Sequence, residues 1–219
     1  RRVLVSAPAE GADATVVHGV NSDHLDRRHL VVSNGSCTTN CLAPVAHVLQ
    51  QTCGIKHGFM TSVHACTADQ NIVDSLHRDL RRARAAAHSI IPTSTGAAKA
   101  IGLVLPDLAG QLEGAAVRVP TLNVSLVDLS VVTERAVAKD DIDFAMHHAA
   151  TECLAGILGC NTLPLVSTDF NHDARSSVYD ATQTRVIEGT FVRIVAWYDN
   201  EWAFSTRMSD VAALMGRLG

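Results

Sequence analysis

Leu30-Val31-Val32-Ser33-Asn34-Gly35-Ser36-Cys37-Thr38-Thr39-Asn40-Cys41 contains the change of period that decides how this chain is built. Leu30 to Ser33 is a short, largely β-branched run ahead of Asn-Gly and reads as a strand entering a tight turn. From Cys37 the residues Cys41, Val45, Val48 and Leu49 recur at helical spacing until Gly54, with Pro44 tolerable only near the first turns. Ile55 to His64 reads as a strand again, since Ile55, Phe59, Thr61 and Val63 fall largely on one parity.

Working outward, Val3 to Ser6 and Ala14 to His18 are expected strands, and Asp69 to His88 an ordered loop with arginine at positions 78, 81, 82 and 84. A helix from Gly96 to Leu105 stops at Pro106, and Ala115 to Val119 and Asn123 to Thr133 read as strands. Asp140 is the expected cap of a helix running to about Glu152, with Ile142, Ala145, Met146 and Ala149 on one face. Leu163 to Thr168, Ser176 to Tyr179, Thr184 to Ile187 and Thr190 to Tyr198 follow as strands, and Trp202 to Leu218 as a closing helix. Strands outnumber helices without alternating with them, which favours an α+β fold, helices covering one face of a mixed sheet, over a doubly wound one.

Composition narrows the function classes. The 219 residues are 47% hydrophobic and 18% charged, enough apolar mass for a sizeable core and too little charge for disorder. With 18 Lys and Arg against 22 Asp and Glu, no positive field gathers nucleic acid or an anionic membrane. No run approaches the roughly 18 apolar residues of a membrane span, and a cytoplasmic location with reduced thiols is expected for the six cysteines. A start at Arg1 without Met leads us to expect missing upstream sequence. The fourteen glycines never form Gly-x-Gly, and no Gly-x-x-x-x-Gly-Lys loop occurs, so any nucleotide must be held from outside this chain.

Cys37 falls where strand gives way to helix, among small polar residues. Free backbone amides and the helix dipole favour an anion there, so a stabilised, nucleophilic thiolate is expected; a buried structural thiol is the alternative. Ser36, Thr38 and the local amides can donate to an oxyanion or phosphate beside the sulfur. His64, at the end of the next strand, is a candidate base if that strand returns beside the helix, and otherwise a hydrogen-bonded core histidine. His64-x-Cys66 near Cys37 and Cys41 raises a zinc site, but no ligand-pair spacing supports one and zinc would disable the nucleophile; no metal is expected. Arg118 sits in an apolar strand and must meet a carboxylate or an anionic ligand. Thr93-Ser94-Thr95-Gly96 opens a second helix and makes another anion-friendly N-terminus, although these hydroxyls also serve simply as caps. Thiol and paired anion sites together suggest a phosphorylated carbonyl substrate.

Ser33-Asn34-Gly35-Ser36-Cys37-Thr38-Thr39-Asn40-Cys41 resembles the active-site signature of phosphorylating glyceraldehyde-3-phosphate dehydrogenases. The similarity continues through Arg81 to Ala86, Ile90 to Lys99, Arg118-Val119-Pro120-Thr121 and Trp197-Tyr198-Asp199-Asn200-Glu201-Trp202, covering essentially the whole chain in order. The resemblance implies a largely antiparallel catalytic sheet, Cys37 as nucleophile and His64 as its base. It implies that Ser36, Thr38, Thr95 and Gly96 hold inorganic phosphate, and that Thr67, Asp69 and Arg118 surround the substrate's own phosphate, with Arg118 shared. Arg82 would belong to the arginine-rich loop beside the phosphate and cofactor sites, and Asn200, with Phe204 nearby, would hold the nicotinamide of NAD or NADP. The implied partners are glyceraldehyde 3-phosphate and inorganic phosphate, in a cytoplasmic homotetramer. The implied chemistry is a thiohemiacetal, hydride loss to an acyl thioester, and phosphorolysis to an acyl phosphate.

The domain pattern expected from this resemblance is residues 1–36 closing a nucleotide-binding unit, 37–201 as catalytic domain, and 202–219 as a helix docking on the absent unit. The closing helix's stripe of Met208, Val211, Ala212, Met215 and Leu218 is then expected to lack a partner in this chain. Gly35, Leu122 and Ala203 stand where alanine, proline and glycine are usual, and Ser75-Leu76 replaces a Leu-Pro pair common in NAD-preferring members, leaving NAD or NADP open. Erythrose-4-phosphate dehydrogenase is a rival, since Phe170-Asn171-His172-Asp173 and Thr182 to Val186 look like that relative. Thr95-Gly96-Ala97-Ala98-Lys99 instead keeps the glyceraldehyde enzyme's phosphate pattern. A non-enzymatic fragment or interaction protein, and a cysteine hydrolase using Cys37 and His64, are the readings from other classes.

Overall fold

Two long alternating strands make the centre of the molecule. In β7, Ser125–Thr133, the side chains of Val127, Leu129 and Val131 are buried, and in β11, Phe191–Tyr198, those of Val192, Ile194, Ala196 and Tyr198 are. The computed structural model describes residues 1–218. Its main sheet adds β4 (Ile55–His64), β5 (Ile91–Ser94), β6 (Leu112–Arg118), β8 (Leu158–Asn161), β9 (Ser177–Asp180) and β10 (Arg185–Ile187). The order is β5-β6-β4-β7-β11-β9-β8, with β10 on β11. Within this sheet, among the described residues, the β4–β6 and β8–β9 strand pairs are parallel and the other strand pairs antiparallel. The sheet is thus mixed and largely antiparallel, as expected.

Helices α1 (Cys37–Cys53), α2 (Ala97–Val104) and α3 (Lys139–Thr151) cover one face. Leu42, Val45, Ala46 and Leu49 of α1 share one core with Met60, Leu129, Val131, Ile194, Ile101, Ile142 and Met146. Each fully buried aliphatic side chain contributes about 1.5–3 kcal/mol, so this seam between α1 and the sheet holds the layers together. A second, three-stranded parallel sheet orders β1 (Val3–Val5), β3 (Val31–Ser33) and β2 (Ala14–Thr15) as β1-β3-β2.

Several expectations are corrected. The parity shared by Phe59, Thr61 and Val63 is the outer one: Met60, Ser62 and His64 are buried, while Phe59 is half exposed. A bulge between Ile55 and His57 lets Ile55 stay inside although it belongs to the other parity. Gly58 lies where a Cβ would stand 2.6 Å from Val131 and 2.7 Å from the Ser130 carbonyl, so β4 and β7 approach closely only without a side chain there. Helix α3 begins earlier than expected. Its cap position is Ala138, whose N–H donates to the Asp141 carboxylate at 3.0 Å, and Asp140 belongs to the first turn.

Leu163 to Thr168 is not a strand. Leu163 and Val166 are exposed around Pro164, the chain turns through Ser167–Phe170, and the real strand is the earlier β8. β5 was not foreseen, because Thr93 and Ser94 read only as a helix approach. The closing helix α4, Trp202–Arg217, is not left without a partner: Val211 and Met215 are buried against Val16, Leu25 and Val32 of the small sheet region. The last residue of the expected segment 202–219 lies outside the described residues.

Candidate active site

The turn into α1 is built by Gly35 and Ser36. Gly35 has φ +64, a left-handed conformation that glycine adopts without strain, and Ser36 Oγ accepts from the Thr39 N–H at 3.0 Å as the helix cap. Asn40 Nδ2 closes the turn by donating to the Asn34 carbonyl at 2.8 Å and the Ser36 carbonyl at 3.0 Å. Cys37 is thereby the first residue of α1, its sulfur at the helix N-terminus.

His64 and Arg118 are the last residues of β4 and β6. These strands run parallel with His64 opposite Arg118, so both side chains emerge at the same edge of the sheet, below Cys37. Cys37 Sγ is 3.5 Å from His64 Nε2. Arg118 Nη1 is 2.5 Å from His64 Nδ1 and 3.3 Å from the Ala65 carbonyl, while Arg118 Nε is buried without a partner. No carboxylate forms an ion pair with Arg118 among the described residues. Of the two fates open to this arginine, an anionic ligand is the one that fits.

His64 Nδ1 also lies 2.8 Å from the Ala65 carbonyl. One nitrogen cannot donate to that carbonyl and accept from Arg118 together. With Arg118 charged, Nδ1 accepts and the ring proton sits on Nε2, facing the sulfur. Burial, then the Arg118 charge, pushes the His64 pKa down to about 4, so the ring is neutral at neutral pH.

At Cys37, burial works against the expected thiolate. Burial pushes its pKa up and outweighs the Thr38 hydrogen bonds and the Arg118 charge that pull it down, while Glu201 adds a further upward push. A helix N-terminus alone does not compensate for desolvating a sulfur anion.

A cleft of about 430 Å³ gathers most of the expected residues. Ser36, Cys37, Thr38, His64, Thr67, Arg82, Thr95, Gly96, Arg118 and Asn200 all line it. Thr95 Oγ1 accepts from the Ala97 N–H at 3.2 Å, which fixes the start of α2, whose Gly96 has no side-chain cap. Asn200 Oδ1 accepts from Ser125 Oγ at 2.9 Å, and Ser125 Oγ accepts from the Ala65 N–H at 3.0 Å, so Asn200 is tied to the residue after His64.

Two expected residues stand apart. Asp69 is not in the cleft wall; it ion-pairs with Arg82, which also donates from Nε to Thr93 Oγ1 at 2.9 Å. A carboxylate would repel a phosphate, and as the partner of Arg82 it instead sets where that guanidinium points. Phe204 is half-buried on α4 and is likewise not in the wall.

Tyr198, Ser62, Pro8 and Glu201 belong to the site or its lining and were not singled out. The signal for Tyr198 was available, since it has the inward parity of Val192, Ile194 and Ala196 on an apolar strand. Ser62 likewise precedes His64 by two residues and shares its side of β4.

Residues 36–200 match the family model described as glyceraldehyde 3-phosphate dehydrogenase, C-terminal domain. The chain is 62% identical over 219 residues to a glyceraldehyde-3-phosphate dehydrogenase of Xanthobacter flavus, with 100% of this chain and 65% of the relative covered. It is 58% identical over 218 residues to one from Cereibacter sphaeroides, covering 100% of this chain and 66% of the relative. A Bacillus subtilis relative, glyceraldehyde-3-phosphate dehydrogenase 1, is 53% identical over 220 residues, 100% of this chain and 66% of its own length. The chain thus spans just under two thirds of the curated relatives it matches.

Proposed function

Because the chain belongs to the glyceraldehyde 3-phosphate dehydrogenase family through that C-terminal domain, we propose that it carries the reacting half of a phosphorylating glyceraldehyde-3-phosphate dehydrogenase. One observation carries the reading: a thiol 3.5 Å from an imidazole in a cleft that also holds a buried arginine without a carboxylate.

A phosphorylated aldehyde brings its dianion to Thr67, Arg82 and Arg118. Drawn to the phosphate, Arg118 leaves His64 Nδ1; the ring then gives up its Nε2 proton to water and takes one at Nδ1, whose N–H donates to the Ala65 carbonyl. The Nε2 lone pair is now free to take the Cys37 proton. The thiolate attacks the aldehyde carbon, and the alkoxide that forms accepts from the His64 imidazolium and from the backbone amide of Cys37 at the start of α1. The product of this step is a thiohemiacetal.

NAD or NADP supplies the hydride acceptor when bound. The residues here fit only its nicotinamide end: Asn200 Nδ2 makes one long 3.4 Å bond to Glu201 and keeps a donor for a carboxamide oxygen. Phe204 is the aromatic side chain we place nearest that group. Loss of hydride leaves an acyl thioester on Cys37. Inorganic phosphate held by Ser36, Thr38, Thr95, Gly96 and Arg118 attacks it, giving an acyl phosphate and returning the thiol.

We assign residues 1–36 to the end of a nucleotide-binding unit, 37–201 to the catalytic domain and 202–219 to a helix serving the former. The burial of α4 on the β1-β3-β2 region supports that division. A cytoplasmic homotetramer acting in glucose metabolism completes the reading; no helix among the described residues is long and apolar enough to cross a membrane.

The test is reduced-nicotinamide formation with glyceraldehyde 3-phosphate or erythrose 4-phosphate, phosphate, and NAD or NADP. It is run on the chain itself and on the chain joined to a relative's N-terminal portion. Turnover favouring glyceraldehyde 3-phosphate is expected from the joined protein. Turnover favouring erythrose 4-phosphate would select the rival substrate, and silence of both proteins would refute the enzyme reading.

A further inference from the structure

Tyr198 ends β11 and is 1% exposed. Its hydroxyl is 2.8 Å from Thr38 Oγ1 and 3.1 Å from Ser62 Oγ. Its ring meets the His64 ring edge-on, centroids 5.9 Å apart and planes at 76°. The phenol is thus wedged between the first turn of α1, which carries the thiol, and the end of β4, which carries the imidazole.

We propose that Tyr198 is a positioning residue for the thiol: its O–H donates to Thr38 Oγ1, so that the Thr38 O–H is left to donate to Cys37 Sγ. Three hydroxyls in a row carry three protons, and only one direction of the row ends on the sulfur: Ser62 to Tyr198 to Thr38 to Cys37. A thiolate accepts a charge-assisted bond, stronger than any neutral one in the row, and that bond selects this direction. Burial raises the Tyr198 pKa well above the ordinary value, so the phenol remains a donor and is not itself the base. Thr38 is the residue whose hydroxyl pulls the Cys37 pKa down, against burial. Tyr198 therefore acts on the sulfur through Thr38 without touching it.

The inference rests on Cys37 being the reactive thiol. The other groups facing Cys37 are His64 from β4, Arg118 from β6, Glu201 before α4 and Cys41 one turn along α1, and all remain in the variants below.

The experiment is the pH dependence of iodoacetamide alkylation, read at Cys37 by mass spectrometry and needing neither cofactor nor substrate. Tyr198→Phe keeps the ring and removes the donor. The expected result is a Cys37 profile displaced to higher pH, with alkylation at fixed pH slowed about fivefold, the worth of one ordinary hydrogen bond. Thr38→Val should show the same displacement, and Tyr198→Phe added to it should change nothing further. Ser62→Ala should matter less than twofold. An unchanged profile in Tyr198→Phe, additive effects of the two variants, or a Ser62→Ala effect as large as that of Tyr198→Phe would each overturn the proposal.

Replacing the chain's two tyrosines by 3-fluorotyrosine tests the same bond without truncation, and decides the matter if Tyr198→Phe fails to fold. A more acidic phenol is a stronger donor, so the profile should move to lower pH; no movement, or movement upward, refutes the relay. Wild-type alkylation at other cysteines with Cys37 spared would instead sink the nucleophile assignment, and the relay with it.

Discussion

The two walls of the cleft are built in opposite ways. Cys37, His64 and Arg118 each stand at the terminus of a regular element, and their meeting is set by the β4–β6 register and by the seat of α1 on the sheet. Arg82, Asp69 and Thr67 lie in or beside a loop held mainly by its own contacts. Ser75 N–H donates to the Ala83 carbonyl at 3.0 Å, Ala86 N–H to the Asn71 carbonyl at 2.9 Å, and Arg84 pairs with Asp74 at 3.1 Å. The Asp69 side chain is 57% exposed, whereas His64 is 4% exposed. The thiol, the imidazole and one arginine are thus fixed by regular elements, and the second arginine and its carboxylate partner are carried by a more solvated loop. Changes on the first wall should be severe and insensitive to salt, those on the second mild and screened.

The largest effect should come from Cys37→Ala, with turnover falling by about three orders of magnitude or more and the melting transition retained. His64→Asn should lower kcat about 10²–10⁴-fold while leaving KM for the aldehyde largely unchanged. Arg118→Ala should act mainly on KM for the phosphorylated aldehyde, raising it about 30- to 100-fold, the worth of a charge-assisted contact, with unphosphorylated aldehydes much less affected. Equal losses on both aldehydes would show that Arg118 serves His64 and not the phosphate.

The buried wall also has a pH signature. The His64 pKa is about 4 in the folded protein against about 6.5 unfolded, so between those values the unfolded chain binds more protons. Stability should therefore fall as pH drops from about 6.5 to 4, by about 3 kcal/mol from this residue, and His64→Asn should flatten that slope in denaturant titrations. Smallest should be Asp69→Asn: freeing Arg82 from an exposed pair is expected to change KM less than about fivefold, a difference that fades in high salt. A salt-independent loss as large as that of Arg118→Ala would erase the contrast between the walls.

Local pattern made much of this legible. The α1 boundaries follow from Ser36 and Gly54, the run from Ile55 to His64 marks β4 at both ends, and the arginine-rich segment reads as the irregular loop it forms. Failures occurred where two patterns compete. On β4 apolar residues occupy both parities, so only packing against β7 and α1 decides that Met60, Ser62 and His64 turn inward. Around Leu163 an apolar run mimics a strand, but it is exposed and Pro164 withholds a ladder donor.

The sequence by itself determined which residue types are available and which element ends they occupy: a thiol at a helix start, a histidine and an arginine at strand ends, hydroxyls before α2. These follow from short-range periodicity and turn chemistry, which act over a few residues. Tertiary structure alone decided that Asp69 pairs with Arg82, that Tyr198 reaches Thr38 across 160 positions of chain, and that burial works against ionisation of Cys37. Strand register and desolvation are sums over residues distant in sequence, and no local window contains them.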